Sequence, residues 1–187
     1  MTSSTIYYLP GYGGQLNTGL GQGLMDLGFG VAGRETRGEL RALPFDIQIR
    51  TIRQDLEDYF WHERAQVLCN SFGSYLFLHS QAEMTPFPGR VLLLSPIVGE
   101  FTSHQTSTSF YPPRSERLKE LAQVGKFPAP VNCEIHVDKD DWQSIPENVQ
   151  AFGQLAGISV TIMPSSGHVL GKGYVGPLLD LWLNFGS

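Results

Sequence analysis

Apolar runs rich in β-branched residues alternate along the chain with stretches whose apolar positions recur every three or four residues. Several of these runs are apolar almost throughout, which is typical of strands buried on both faces of a sheet. The alternation predicts an α/β fold, with a mostly parallel sheet of about six strands and helices on both faces. The predicted strands are Ile6–Leu9, Gly30–Thr36, Gln66–Asn70, Arg90–Val98, Val131–Val137 and Ser159–Met163.

The stretches between the strands predict the helices. A first helix is expected over Thr18–Leu27, and Asp46 is the N-cap candidate of the second helix. Phe72–Gln81 is apolar on nearly all sides, which predicts a buried helix. Ser144–Glu147 matches a capping box, and Pro177 is expected in the first turn of the last helix.

One long connection interrupts this alternation. Residues Gly99–Pro130 are rich in Ser, Thr and Pro, and they contain only one short amphipathic piece, marked by Leu118, Leu121 and Val124. The segment is too long for a tight strand-to-helix connection, so we expect a lid or part of a pocket wall, the alternative being a disordered surface loop. No internal repeat and no second domain are visible, so residues 1–187 are expected to form a single domain.

Composition narrows the class of protein. Of 187 residues, 41% are hydrophobic and 17% are charged, as in a globular domain with one core, and the net charge of -5 argues against nucleic-acid binding. Cys69 and Cys133 lie in apolar strands and are expected to be buried thiols, not a disulfide framework. No apolar run is long enough to cross a membrane and the first residues lack a signal-peptide pattern, so we expect a cytoplasmic protein.

The strongest chemical signal is a serine between an apolar strand and an apolar helix. The segment Cys69-Asn70-Ser71-Phe72-Gly73 matches the nucleophile elbow, small-x-Ser-x-Gly, with cysteine where glycine is most common. The serine of this motif occupies a strained turn, so the residues two positions away on each side must be small. The turn exposes the hydroxyl group at the carboxyl end of the sheet. Ser71 is therefore predicted to be a catalytic nucleophile.

The glycine-rich stretch after the first strand is the candidate oxyanion hole. Pro10–Gly14 allows the backbone to approach a substrate, and the N–H groups of Tyr12 and Phe72 are expected to stabilise the negative charge of the transition state. A dinucleotide-binding loop is the alternative, but Leu16 stands where its third glycine is required. The later glycine runs fail on spacing, or because they precede a strand instead of following one.

A serine hydroxyl group needs a base to remove its proton, and the C-terminal part of the chain offers one. His168 follows Gly167 in the loop between the last strand and the last helix, where the nucleophile-elbow fold places its histidine. The other four histidines are expected to be structural: His62, His79, His104 and His136.

The acid is expected after the strand Val131–Val137, because the order in this fold is serine, acid, histidine. Three aspartates leave the carboxyl end of this strand and are candidates to accept the imidazole N–H: Asp138, Asp140 and Asp141. Asp138 is disfavoured because it is too close to the strand. Glu100, which follows the preceding strand, occupies a rival position for the acid.

Together, these motifs resemble the small serine hydrolases of the retinoblastoma-binding protein 9 type, also called YdeN-like hydrolases, in the α/β-hydrolase superfamily. The residues that carry the resemblance span nearly the whole chain: Leu9–Gly14, the Ser71 elbow, Asp140-Asp141 and Gly167-His168. The family elbow usually reads Gly-His-Ser-x-Gly, and this chain has Cys69-Asn70 in place of Gly-His. The second of two paired aspartates belongs to the triad in that family, which implies Asp141. The resemblance also implies an α/β-hydrolase fold with a minimal cap and an esterase-like activity.

The predicted activity is hydrolysis of a small acyl ester or thioester through an acyl-enzyme, with Ser71, His168 and Asp141 as the triad. We expect no cofactor and no metal, and a small acyl compound as the partner in place of a nucleic acid or a membrane. The alternative is a catalytically silent protein of the same fold that uses its pocket to bind a ligand or a partner. An acyltransferase with the same triad would differ only in the acceptor of the acyl group.

Overall fold

A computed structural model describes residues 5–103, 107–164 and 167–184, so the expectation for His104 lies outside the described residues. Within these ranges six strands form one parallel sheet in the order β2-β1-β3-β4-β7-β8, and β5 and β6 form a separate antiparallel hairpin. The predicted parallel sheet is confirmed. The strands are β1 (Thr5–Leu9), β2 (Gly30–Gly33), β3 (Gln66–Asn70), β4 (Arg90–Leu94), β5 (Phe101–Ser103), β6 (Thr108–Phe110), β7 (Asn132–Asp138) and β8 (Ser159–Met163).

Helices connect the strands and cover the sheet. A π-helical turn over Leu56–Phe60 continues directly from the third helix. None of the helices in the described ranges combines the length and the apolarity needed to cross a membrane. The helices are α1 (Gly19–Asp26), α2 (Gly38–Ala42), α3 (Phe45–Asp55), α4 (Phe72–Gln81), α5 (Arg117–Gln123), α6 (Pro146–Ala156) and α7 (Lys172–Asn184).

The core has two parts, one on each face of the sheet, because alternate residues of a strand point to opposite faces. On one face, strand residues such as Val67 and Leu93 pack against helices α2 to α6. On the other face, Leu68 and Leu92 pack with α1 and α7. Helices therefore cover both faces of a single small domain, as predicted from the apolar strands.

Two strands end earlier than predicted, and in each case the backbone explains why. The prediction Gly30–Thr36 overruns β2, which ends at Gly33 with a φ of 138°, a conformation that favours glycine. The prediction Arg90–Val98 overruns β4, because Ser95 adopts a φ of 44° and turns the chain out of the sheet.

The predicted helix starts were wrong at three positions. Helix α3 begins at Phe45, so Asp46 lies in its first turn and is not its N-cap. The capping box is absent, because the N-cap of α6 is Ile145 and the hydroxyl group of Ser144 donates to Ser95 O instead. Pro177 lies inside α7, which begins five residues earlier, where backbone N–H groups of its first turn donate to Gly171 O.

The segment over residues 99–130 contains the β5–β6 hairpin and helix α5. Leu118 and Leu121 are buried on α5, whereas Val124 follows the helix and is exposed. The Tyr75 hydroxyl group on α4 donates to Pro113 O at 2.6 Å. Arg114 forms ion pairs with Asp46 at 2.8 Å and with Glu83 at 2.9 Å. These contacts attach the segment to the body of the domain.

Candidate active site

Ser71 occupies the sharp turn between β3 and α4. Its φ of 51° and ψ of -116° are strained for a residue with a side chain, as the nucleophile-elbow motif requires. Gly73 must lack a side chain, because a Cβ atom there would lie 2.2 Å from Leu9 O. Cys69 is fully buried in the core and burial raises the pKa of its thiol, so this residue is an inert apolar filler. The local structure therefore explains why position 73 is glycine and shows that Cys69 is a buried core residue.

The sheet holds the ends of the turn. Ser71 N donates to Leu94 O at 2.9 Å, which extends the pairing of β3 and β4 by one residue. Ser71 O accepts from the N–H of Ser74 at 3.1 Å, in the first turn of α4. The hydroxyl group therefore projects from the carboxyl edge of the sheet, next to the N-terminus of a helix whose dipole favours negative charge.

His168 lies against Ser71, although 97 residues separate them in sequence. Gly167 before it has a φ of 75°, a left-handed conformation that lets the loop turn. His168 Nε2 lies 2.7 Å from Ser71 Oγ, and His168 Nδ1 lies 2.9 Å from Asp141 Oδ1. The carboxylate accepts the Nδ1–H, which leaves Nε2 without a proton and able to accept from the serine hydroxyl group.

Asp141 is held by two further donors. Its side chain is fully buried, and Oδ1 accepts from the N–H groups of Gln143 and Ser144, both at 2.9 Å. Burial raises the pKa of Asp141, but the hydrogen bond and charge of His168 and the two backbone donors outweigh it and hold the pKa below its ordinary value. The carboxylate is therefore charged at neutral pH and oriented toward the imidazole.

The rival acids lie elsewhere. Asp138 is buried as the last residue of β7, and its carboxylate accepts from Asp140 N at 2.8 Å. The Asp140 side chain is 61% exposed, 3.8 Å from Lys139 Nζ. Glu100 is exposed and lines a cavity of about 360 Å³ between α5 and α6 that contains none of the site residues. Of the four acids considered, the structure brings only Asp141 to the histidine.

The candidate oxyanion donors lie on either side of the serine. A Cβ atom at Gly11 would lie 3.4 Å from Ser71 Cβ, so the loop that carries Tyr12 runs next to the nucleophile. Phe72 directly follows Ser71 at the start of α4. Among the described residues, neither the N–H of Tyr12 nor that of Phe72 has an acceptor. Both groups are therefore free to donate to a substrate oxygen.

Thr36 fixes this loop, a role that the sequence analysis missed. Its hydroxyl group donates to Gly11 O, and its Oγ1 and O atoms accept from Gly14 N at 3.0 Å and Gly13 N at 3.1 Å. The sequence placed Thr36 at the end of the second strand. Because β1 and β2 are parallel neighbours, the chain segments after them meet at the same edge, and this adjacency was the available signal.

The remaining described histidines contact other groups. His62 is exposed, and His79 is buried among aromatic rings, where burial and two nearby arginines lower its pKa to about 3. His136 on β7 is hydrogen-bonded through Nδ1 to the Tyr174 hydroxyl group of α7 at 2.6 Å. Burial lowers the pKa of His136, against the opposing effect of Glu134. In the described ranges, no cluster of three or more potential ligand residues is arranged to hold a metal ion.

Comparisons with known proteins give the fold. No model of a protein family matches the sequence, and no curated protein matches it. The Bacillus subtilis ydeN gene product superposes with a TM-score of 0.65 at 11% identity, covering 97% of this chain and 99% of that one. A YdeN-like hydrolase from Pectobacterium atrosepticum gives 0.63 at 15% identity, with coverages of 96% and 89%. A structure from work on carboxylesterases of Nitrososphaera gargenis gives 0.63 at 14% identity, with coverages of 97% and 90%. The chain therefore has the α/β-hydrolase fold, and it resembles the YdeN-like hydrolases at the level of that fold.

Proposed function

We propose that this protein is a serine hydrolase that cleaves a small acyl ester or thioester through an acyl-enzyme. The observation that carries the proposal is the continuous hydrogen-bonded chain from Ser71 Oγ through His168 to the buried carboxylate of Asp141. A serine on a strained turn, a base at 2.7 Å and an acid that orients the base are the parts that nucleophilic catalysis requires. The hydrolases that share the fold support the same reaction class.

Acylation begins when His168 Nε2 accepts the proton of Ser71, whose Oγ attacks the carbonyl carbon of the substrate. The carbonyl oxygen becomes an oxyanion, which the N–H groups of Tyr12 and Phe72 stabilise. Asp141 stabilises the imidazolium ion that forms. His168 then gives the proton to the leaving oxygen or sulfur atom, the bond from the acyl carbon to that atom breaks, and an acyl-serine remains.

Deacylation repeats these steps with water. His168 Nε2 accepts a proton from the water molecule, whose oxygen attacks the acyl carbon of the acyl-serine. The second oxyanion collapses, the bond from the acyl carbon to Ser71 Oγ breaks, and His168 returns the proton to the serine. The products are a carboxylic acid and the free enzyme.

A fluorophosphonate probe tests the nucleophile directly, because it reacts covalently with an activated serine. We expect the wild-type protein to be labelled and the Ser71→Ala variant to be unlabelled, with an unchanged circular dichroism spectrum. Ser159→Ala is the matched control, since this serine is exposed on the edge strand β8, and it should be labelled like the wild type. Undiminished labelling of Ser71→Ala would remove this serine from the mechanism. A folded wild-type protein that neither labels nor hydrolyses p-nitrophenyl acetate would instead be the silent binding protein.

A further inference from the structure

Five aromatic rings form a continuous row beside the proposed nucleophile. We call this row the aromatic wall: Tyr12, Phe72, Phe110, Phe101 and Trp142. The centroid distances along it are 5.5, 5.8, 5.1 and 5.6 Å. Three of the four contacts are edge-to-face, and the pair Phe101–Phe110 is stacked. Such contacts favour defined angles between the rings, which burial of apolar surface alone does not.

Each part of the wall is tied to a part of the site. Phe72 directly follows Ser71, Tyr12 lies in the oxyanion loop, and Trp142 directly follows Asp141. The two rings between Phe72 and Trp142 come from the β5–β6 hairpin. The hairpin therefore supplies the middle of a wall whose other rings belong to the segments that carry the nucleophile, the oxyanion donors and the acid.

Much of the apolar surface of the wall is exposed to solvent. Tyr12 is 56% exposed and Trp142 is 37% exposed, and Phe72 and Phe110 are half-buried. Val169, next to His168, is also exposed. Phe101 is buried, so the exposed rings of the wall are the other four. An apolar patch that borders a nucleophile is the usual form of a surface that binds the apolar part of a substrate.

The positions that the reaction requires for the leaving atom and the carbonyl oxygen leave this surface for the acyl group. The leaving atom must face His168 Nε2, which protonates it, and the carbonyl oxygen must face the N–H groups of Tyr12 and Phe72. The substituent on the acyl carbon takes the remaining direction, away from the imidazole, and the aromatic wall starts beside the serine at Tyr12 and at Phe72, the residue after Ser71. We propose, on the basis of the serine-hydrolase function above, that the site selects aromatic acyl groups such as arylacetyl esters or thioesters.

Contacts behind the wall keep it in place. The chain that follows Phe110 is attached to α4 by the hydrogen bond from the Tyr75 hydroxyl group to Pro113 O at 2.6 Å. Arg114 anchors the same segment through ion pairs with Asp46 and Glu83. The hairpin side of the wall is thus preorganised, so little conformational entropy is lost when a ring binds against it.

The test varies the acyl group and keeps the leaving group constant, using p-nitrophenyl acetate, cyclohexylacetate and phenylacetate. Cyclohexylacetate matches the size of phenylacetate without its π system. The wild-type protein should prefer phenylacetate to cyclohexylacetate in kcat/KM by about three- to tenfold, the range expected for aromatic pairing beyond simple burial. Rates of Ser71→Ala are subtracted as the background.

Variants of the wall then test which rings cause the preference for phenylacetate. Phe110→Leu keeps an apolar side chain but removes the ring, and it should lower kcat/KM for phenylacetate several-fold more than for acetate. Trp142→Leu provides a second, more exposed position if the hairpin variant does not fold. Tyr59→Leu is the matched control, because this tyrosine is 73% exposed and lines a separate cavity of about 650 Å³ at β2, away from the wall. It should leave all three rates unchanged.

The outcomes separate the two proposals. Equal kcat/KM for phenylacetate and cyclohexylacetate in the wild-type protein would overturn the aromatic preference and leave the serine hydrolase standing. The same conclusion would follow if Phe110→Leu or Trp142→Leu lowered all three rates by one factor. Loss of all turnover above the Ser71→Ala background would overturn the proposed function itself, and the acyl preference with it.

Discussion

Asp141→Asn changes one atom of the site and should reverse the hydrogen-bonding role of His168. Oδ1 accepts from two backbone N–H groups, so the amide oxygen of the asparagine must take this position. The amide nitrogen then replaces Oδ2, 3.0 Å from His168 Nδ1, where it can only donate. Oδ1 also lies 2.9 Å from Nδ1, but it already accepts from two backbone N–H groups, so we expect Nδ1 to accept from the amide group and the imidazole proton to move to Nε2. An imidazole with Nε2–H cannot accept the proton of Ser71.

The magnitude follows from this loss of the base. The variant keeps the fold and the oxyanion donors, but both the reactive tautomer and the carboxylate that stabilises the imidazolium ion are lost. We expect kcat/KM for p-nitrophenyl acetate to fall about 10³- to 10⁴-fold, which corresponds to about 4 to 5.5 kcal/mol of transition-state stabilisation. Raising the pH should restore part of the rate, because hydroxide can then remove the serine proton.

Asp140→Asn is the control for this experiment. It makes the same chemical change one residue earlier, at an exposed side chain that forms an ion pair with Lys139. We expect its kcat/KM to stay within about twofold of wild type, since an exposed ion pair contributes little. If Asp140→Asn lost the activity and Asp141→Asn kept it, the assignment of the acid would be wrong. Equal losses in both variants would show that the loop, and not the carboxylate, is what matters.

Three further changes test other parts of the structure. Ser144→Ala removes the hydroxyl group that donates to Ser95 O and so loosens the turn that carries Asp141. We expect kcat to fall about tenfold with KM little changed. A change in thermal stability alone would contradict this role of Ser144. Gly73→Ala places a methyl group 2.2 Å from Leu9 O. Urea unfolding should show that the free energy of unfolding falls by about 3 kcal/mol or more. A variant as stable as the wild type would refute the close approach. The pKa of His79 falls from 6.5 in the unfolded chain to about 3 in the folded protein, so the unfolded chain binds the extra proton and stability decreases as the pH falls through this range. His79→Leu should flatten that dependence between pH 6.5 and 4, and an unchanged slope would exclude His79 as its source.

The parts of the fold that were predictable depend on local pattern. The strand Gln66–Asn70 and the helix Phe72–Gln81 match the predicted bounds, because a short apolar run followed by a small-residue turn has few other structures available. The meeting of Ser71 and His168 also follows from local signals. Gly73 lies two residues after Ser71 and Gly167 directly precedes His168, both segments follow a strand, and all parallel strands present their carboxyl ends at one edge.

The parts that were missed depend on contacts between distant segments. Ser144 and the following Glu147 fit a capping box locally, but the hydroxyl group bonds to Ser95 O on a neighbouring strand end, and the helix begins after Ile145. Pro177 fits a first turn locally, but α7 begins earlier, at Lys172, and Val175 and Leu179 of its first and middle turns pack on the sheet. Local propensity is a weak prior wherever tertiary packing supplies a competing contact.

The strained turn at Ser71 has a counterpart on the next strand, and together they explain how the proposed nucleophile and the proposed acid are held in register. Ser95 follows β4 with a positive φ, as Ser71 follows β3, and each serine donates its N–H to the neighbouring strand on the same side. Ser95 O then accepts the Ser144 hydroxyl group, and Ser144 N donates to Asp141. An unbroken series of hydrogen bonds thus runs from the nucleophile turn through β4 to the acid. The two bonds that position the turns, from Ser71 N to Leu94 O and from Ser95 N to His136 O, are made by the main chain, so the sheet itself sets the spacing of the turns. His168, which comes from a separate loop, completes the site by bonding through Nε2 to Ser71 and through Nδ1 to Asp141.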